Sequence, residues 1–209
     1  MDEKILLRVW PEFESTGIWM PPNPSENNMG QMMTYESLEL PNELADAFMQ
    51  WQERYSDRPL PDDGTFDWEA FDKEGLELAK ELKNYKLYDF SVQYWMNGSW
   101  QKIYGYDVMA DYSASLWDDK GVSSELSDIE YDLNGYTILN RDELQEAFDQ
   151  WERDFDKSLD NTLDWEVFNA EGNRLVDELQ SRLPEYCTVR YMHAFEETHP
   201  PFKAAPTAI

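Results

Sequence analysis

The sequence predicts an α+β protein built from two tandem modules, each strand, loop, helix, helix, strand, with the helices packed on a predominantly antiparallel sheet. Three observations predict this. Glu43, Leu44, Ala47, Phe48, Gln50, Trp51 and Tyr55 return one hundred positions later as Glu143, Leu144, Ala147, Phe148, Gln150, Trp151 and Phe155. Asp67-Trp68-Glu69, Phe71 and Glu74-Gly75 return as Asp164-Trp165-Glu166, Phe168 and Glu171-Gly172. Val92 and Tyr94 then match Val189 and Tyr191. Self-similarity at a fixed offset marks a duplicated unit.

Ile5 to Val9 is rich in branched residues and reads as a strand that Trp10-Pro11 ends. Ser15 to Glu36 holds Pro21, Pro22, Pro24 and Gly30 and reads as a long loop. Leu44, Phe48, Trp51 and Tyr55 fall on one stripe of a helix from about Asn42. Asp67 is placed to cap a second helix whose apolar face carries Trp68, Phe71, Gly75, Leu78 and Leu82. Asp89 to Trp95 alternates through Phe90, Val92 and Tyr94, as a half-buried strand does. The second module opens on a strand at Lys102 to Val108, repeats the helix pair, and closes on Tyr186 to Met192. Domain bounds of 1–98, 99–197 and a flexible tail at 198–209 follow. Trp51, Trp68, Trp151 and Trp165 are expected in the core, and Gly75 and Gly172, lying on apolar helix faces, suggest another backbone passing close by.

The chain has 209 residues and a formal net charge of -27. The acidity belongs to both halves: 20 acids against 8 bases in residues 1–100, and 24 against 9 in 101–209. With 41% apolar and 15% aromatic residues the chain can bury a core despite this charge. Direct binding to nucleic acid or to anionic membranes needs clustered Lys and Arg and is not expected. A basic protein partner is. The charged start Met1-Asp2-Glu3-Lys4 and the short apolar stretch after it give no signal peptide or membrane span, and the single Cys187 fits a reducing, cytoplasmic compartment.

No nucleophile, base, metal or cofactor set stands out. Cys187 alternates with Val189 and Tyr191 and reads as a core residue, not as a partner of His193 or His199. Asp154, Asp156, Asp160, Asp164 and Glu166 fail the EF-hand template, which requires a glycine and a twelfth-position glutamate. Neither a P-loop nor a dinucleotide fingerprint occurs. The chain is therefore expected to be non-enzymatic, without a cofactor or metal. The candidate partner-binding residues lie where the second module departs most from the first, in the stretch 111–132. It carries Asp111, Asp118, Asp119, Glu125, Asp128, Glu130 and Asp132 against Lys120 alone. Trp117 within that stretch and Trp19 in the first-module loop complete the set, with a structural role for these two indoles equally open. Trp10, Trp95 and Trp100 also fall at strand ends, where an aromatic can anchor an interface.

The helix pattern Asp-Trp-Glu-x-Phe-x-x-Glu-Gly, preceded by a Trp-bearing acidic helix, resembles small acidic bacterial proteins, and the general cast is similar to immunity proteins that neutralise secreted bacterial toxins. That resemblance implies a cytoplasmic inhibitor that occupies the basic active-site groove of one toxin, and it carries over no individual contact residue. The alternative is a DNA-mimicking phage or plasmid protein whose carboxylates stand in for phosphates against a restriction or CRISPR-type enzyme.

Overall fold

The computed structural model describes residues 4–22, 29–112, 114–159 and 162–194. Among these the chain is α+β, with five α-helices and a mostly antiparallel mixed sheet of seven strands. Two compact units divide it: unit 1 holds residues 1–105 and 185–188, and unit 2 holds 106–184 and 189–209. The expected tail at 198–209, together with His199 and Asp160, lies outside the described residues.

In unit 1, β1 (Ile5–Val9) pairs antiparallel with β2 (Ile18–Met20), which pairs with β3 (Gln31–Met32). Two helices follow, α1 (Asn42–Asp57) and α2 (Trp68–Tyr85), and the chain returns as β4 (Phe90–Met96) parallel to β1. Helices are the usual way to connect parallel neighbours, because a tight turn cannot reverse the chain's direction twice. Asp67 caps α2 by accepting from the Ala70 amide at 3.0 Å. The apolar stripe of α1 buries Leu44, Phe48 and Trp51, and α2 packs Leu78, Ala79 and Leu82 toward β4. At about 1.5–3 kcal/mol for each large apolar side chain removed from water, these faces supply the main drive for folding the unit. The strand β5 (Ser99–Asp111) pairs with β4 through the Asn97-Gly98 turn and carries the chain into unit 2.

In unit 2, β5 pairs antiparallel with β6 (Ala114–Asp118). The helices α3 (Leu126–Asp132), α4 (Arg141–Phe155) and α5 (Trp165–Arg182) follow, and β7 (Cys187–Tyr191) pairs with β5. Asp164 caps α5 through the Glu166 and Val167 amides. Leu144, Phe148, Trp151, Phe155, Phe168, Leu175 and Leu179 form its helical core.

One side-chain arrangement occurs in both units. The Trp51 indole stacks on Phe71 (centroids 4.8 Å, 10°) and donates to the Phe71 carbonyl at 3.1 Å. Trp151 stacks on Phe168 (4.6 Å, 13°) and donates to its carbonyl at 3.0 Å. The strand pairs differ in polarity. Arg8 on β1 donates to Gln93 on β4 at 3.0 Å, whereas Asp107 on β5 accepts from Nε and Nη2 of Arg190 on β7. Asp107 and Arg8 are each about 1% exposed, so both pairs act inside the protein.

Several sequence expectations are corrected. Ser15–Glu36 is not one loop: β2 and β3 lie within it, and Trp19 is a strand residue. Three- and two-residue strands are too short for side-chain alternation to reveal. Trp51 and Trp151 are buried, but Trp68 is 40% exposed and Trp165 half-buried. Both sit at the first position of a helix, where an indole reaches the helix end more readily than the core. The Trp68 N–H donates to Asp62 at 2.8 Å. What presses on the two helix glycines is side chain, not backbone. A Cβ on Gly75 would lie 2.5 Å from Trp51 Cζ2 and 2.7 Å from the Tyr94 hydroxyl, and one on Gly172 would meet Tyr191 and Trp151 Cζ2, the latter at 2.7 Å.

Gly75→Ala and Gly172→Ala are each expected to lower the melting temperature. The gain in helix propensity, about 1 kcal/mol, is outweighed by about 1–3 kcal/mol of overpacking against a stacked indole. A thermal melt showing either variant stabilised would refute this packing.

Candidate functional site

The stretch 111–132 is folded, and several of its acids build it. Asp118 ends β6 and accepts from the Lys120 and Val122 amides at 2.8 and 2.9 Å, closing a tight turn. It and Asp119 are each 7% exposed. Asp128 Oδ2 accepts the Glu125 amide at 2.9 Å, satisfying an N–H at the start of α3 that no helical carbonyl reaches. Glu130 accepts the Ile138 amide at 2.8 Å and the Arg141 guanidinium at 2.9 Å. The Ile138 amide first, and Arg141 second, hold its carboxyl below the usual glutamate range. These carboxylates therefore take part in folding the stretch itself. A carboxylate is a strong acceptor for backbone N–H groups, and in a chain this acidic the local caps are drawn from the acids available.

The indoles are pinned as well. Trp117 Nε1 donates to the Met109 carbonyl at 3.0 Å and Trp19 Nε1 to the Trp10 carbonyl at 2.9 Å. Both rings are half-buried on the strands they cover. Asp132, half-buried, ends α3, where the helix dipole disfavours an anion.

Of the sequence candidates, the structure brings Glu125 and Asp128 together. They line a polar cleft of unit 2, about 540 Å³, with Asp149, Glu152, Gln145 and the backbone and side chains of Ser115, Ser123 and Ser124. Gln145 ties the walls: its Oε1 accepts the Leu126 amide at 3.1 Å and its Nε2 donates to Asp149 at 2.8 Å. Glu152 has its pKa raised, first by desolvation and then by the repulsion of Asp149 and Asp156, with a Ser115 hydrogen bond opposing. Four carboxylates thus line the cleft, and no Lys or Arg does. The lining offers hydrogen-bond acceptors and no cationic side chain. Gln145, Asp149 and Glu152 were missed from the sequence, although their spacings of four and three place them on one helix face.

Asp118, Asp119, Glu130, Asp132, Trp117 and Trp19 do not line that cleft. Cys187 is buried in β7, and burial pushes its thiol up to about 12, so little nucleophilic thiolate exists near neutrality. Among the described residues no group of three or more His, Cys, Asp or Glu is arranged to hold a metal ion, and no helix is long and apolar enough to cross a membrane. No known protein family, curated protein or solved structure matches the chain.

Asp118→Ala is expected to cost about 2 kcal/mol in chemical denaturation, since two backbone donors lose a charged acceptor. A loss below about 0.5 kcal/mol would show that the turn does not depend on it. For Glu130→Gln the dependence on pH is diagnostic. A carboxyl held low in the folded state stabilises above its unfolded pKa, and that contribution is lost as pH falls through the folded value. The variant should therefore melt below the parent at about pH 7, and the gap should close as pH falls through the lowered folded value. A gap of constant size would assign the defect to packing.

Proposed function

We propose that the chain is a non-enzymatic acidic inhibitor that binds a basic protein, and that its target is a bacterial toxin domain whose basic active-site groove it occupies. The carrying observation is the unit 2 cleft, which Glu125, Asp128, Asp149 and Glu152 line without a basic residue. Burial first, and then repulsion by Asp149 and Asp156, raises the pKa of Glu152, while Ser115 and Arg153 oppose the shift. A Lys or Arg side chain entering the cleft would relieve that repulsion. A net charge of -27 would steer such a partner over longer range. A toxin that processes nucleic acid must present Lys and Arg to phosphate, which makes it the natural partner in charge, and an antidote benefits from fast capture. The recurrent Trp-on-Phe arrangement and the matching helix caps further support the reading that two copies of one module make up the chain, with the acidic cleft elaborated in the second.

The test is association kinetics with purified bacterial nuclease toxin domains at two ionic strengths, with nuclease activity as readout. One such domain should bind rapidly, lose activity in the complex, and associate more slowly as salt rises. Glu125→Gln combined with Glu152→Gln should lower the on-rate about tenfold at low salt while leaving the melting curve close to that of the parent. Competition with DNA on several unrelated DNA-binding proteins would favour the mimic instead. An unchanged on-rate in the double variant would exclude this cleft as the interface.

A further inference from the structure

Unit 1 holds a second cleft of different chemistry, about 330 Å³, lined by Trp10, Tyr55, Trp68, Tyr94, Trp95 and Asp72 among others. It lies at the ends of the parallel strands β1 and β4, against the first turn of α2. Trp10 and Trp95 meet nearly at right angles, with centroids 5.8 Å apart and planes at 83°, and so present two walls of a corner. Trp68 is held by its edge through the N–H to Asp62, and its ring is 40% exposed. Tyr94 is fixed by its hydroxyl, which donates to the Asp72 carbonyl at 3.0 Å. The single acid of this lining, Asp72, is solvent-accessible, and partial desolvation raises its pKa.

Aromatic faces around one carboxylate attract an organic cation, because ring quadrupoles and the anion act together on a charge that is only weakly hydrated. The aromatic set already takes one such group from the chain itself. The Arg58 guanidinium lies 3.7 Å from the Tyr55 centroid, 4.5 Å from that of Phe13 and 5.9 Å from that of Trp68. Its charge is met by Asp62, whose pKa is lowered by the Trp68 and Gly64 N–H groups and, to a smaller extent, by Arg58. Unit 2 gives a contrast. Its indole-to-carbonyl bond, from Trp117, ends on Met109 where the bond from Trp19 ends on Trp10. Likewise Asn169 follows Phe168 where Asp72 follows Phe71, and Met192 follows Tyr191 where Trp95 follows Tyr94. Met109, Asn169 and Met192 thus stand in unit 2 where Trp10, Asp72 and Trp95 stand in unit 1.

We propose that the unit 1 cleft receives an arginine side chain of the basic partner protein, its guanidinium laid on an indole face at the corner of Trp10 and Trp95 and paired with Asp72. The proposal rests on the reading that a basic protein is bound. Arginine is favoured over lysine because its planar group matches flat ring faces and a two-oxygen acceptor, as Arg58 illustrates on Tyr55. The volume, near the lower end for ligand sites, suits one side chain.

The experiment titrates the full chain with Nα-acetyl-arginine amide and, separately, with the lysine analogue and sodium chloride, following the indole N–H resonances. The arginine analogue should bind in the millimolar range, shift the Trp10, Trp68 and Trp95 resonances saturably, and bind more tightly than the lysine analogue. Asp72→Asn, an isosteric change at a solvent-accessible position, should weaken it about five- to tenfold, and Trp95→Met should weaken it at least as much. If Trp95→Met folds poorly, Asp72→Asn alone decides. No saturable shift, or one unchanged in Asp72→Asn, overturns the cleft, and equal binding of the lysine analogue overturns the assignment to arginine. Because the probe is a small molecule, these outcomes are separate from failure to find a basic partner, which would leave the cleft standing and remove the inhibitor reading.

Discussion

The structure depends on one contact, the indole clamp at the start of the second helix of each pair. Trp51 lies flat on Phe71, and its N–H reaches the carbonyl of that same residue. Tyr94, arriving from β4, takes the next carbonyl, that of Asp72. Two side chains from different elements thus occupy adjacent acceptors of one helical turn, fixing α1 and β4 to α2 at a common point. Gly75 one turn further on leaves room for both rings. A buried indole N–H without its acceptor costs about 1–3 kcal/mol, so polar geometry as well as burial sets the position of the helix. In unit 2 Trp151 repeats the clamp, and Tyr191 is anchored at 2.6 Å to the side-chain oxygen of Asn169.

The acids divide into two populations. Asp67, Asp118, Asp128, Glu130 and Asp164 accept backbone N–H groups and act as local fasteners. Others, such as Asp149 and Glu152, line a cleft without a basic lining residue. The first population uses the concentrated charge of a carboxylate to close turns and helix starts. Net charge alone does not separate them, since the same residue type serves both ends.

Much of the architecture was legible because periodicity and capping are local. The stripe Leu44, Phe48, Trp51 and the caps Asp67 and Asp164 are written at fixed spacings, and α1, α2, α4 and α5 lie where those spacings put them. β3 was not legible, because its two exposed residues are held by backbone pairing to β2. Nor was the exposure of Trp68, which turns on the bond its edge makes to Asp62. The stretch 111–132 was legible as the most acidic part of its module, but which of its carboxylates hold backbone depends on a fold that returns Ile138 to Glu130. The clefts combine residues from separate elements, and their walls become neighbours only through tertiary pairing.

The exchange of polarity between the two strand pairs bears on how the chain avoids misassembly. Segments this alike could pair with each other's partners during folding, joining β1 to β7. That pairing would set Arg8 against Arg190 in a buried position, two like charges with neither Gln93 nor Asp107 to receive them. The cost of an uncompensated buried charge, several kcal/mol, is comparable to much of a domain's net stability. The Arg8–Gln93 and Asp107–Arg190 pairs are thus matched within each strand pair and would be mismatched across them.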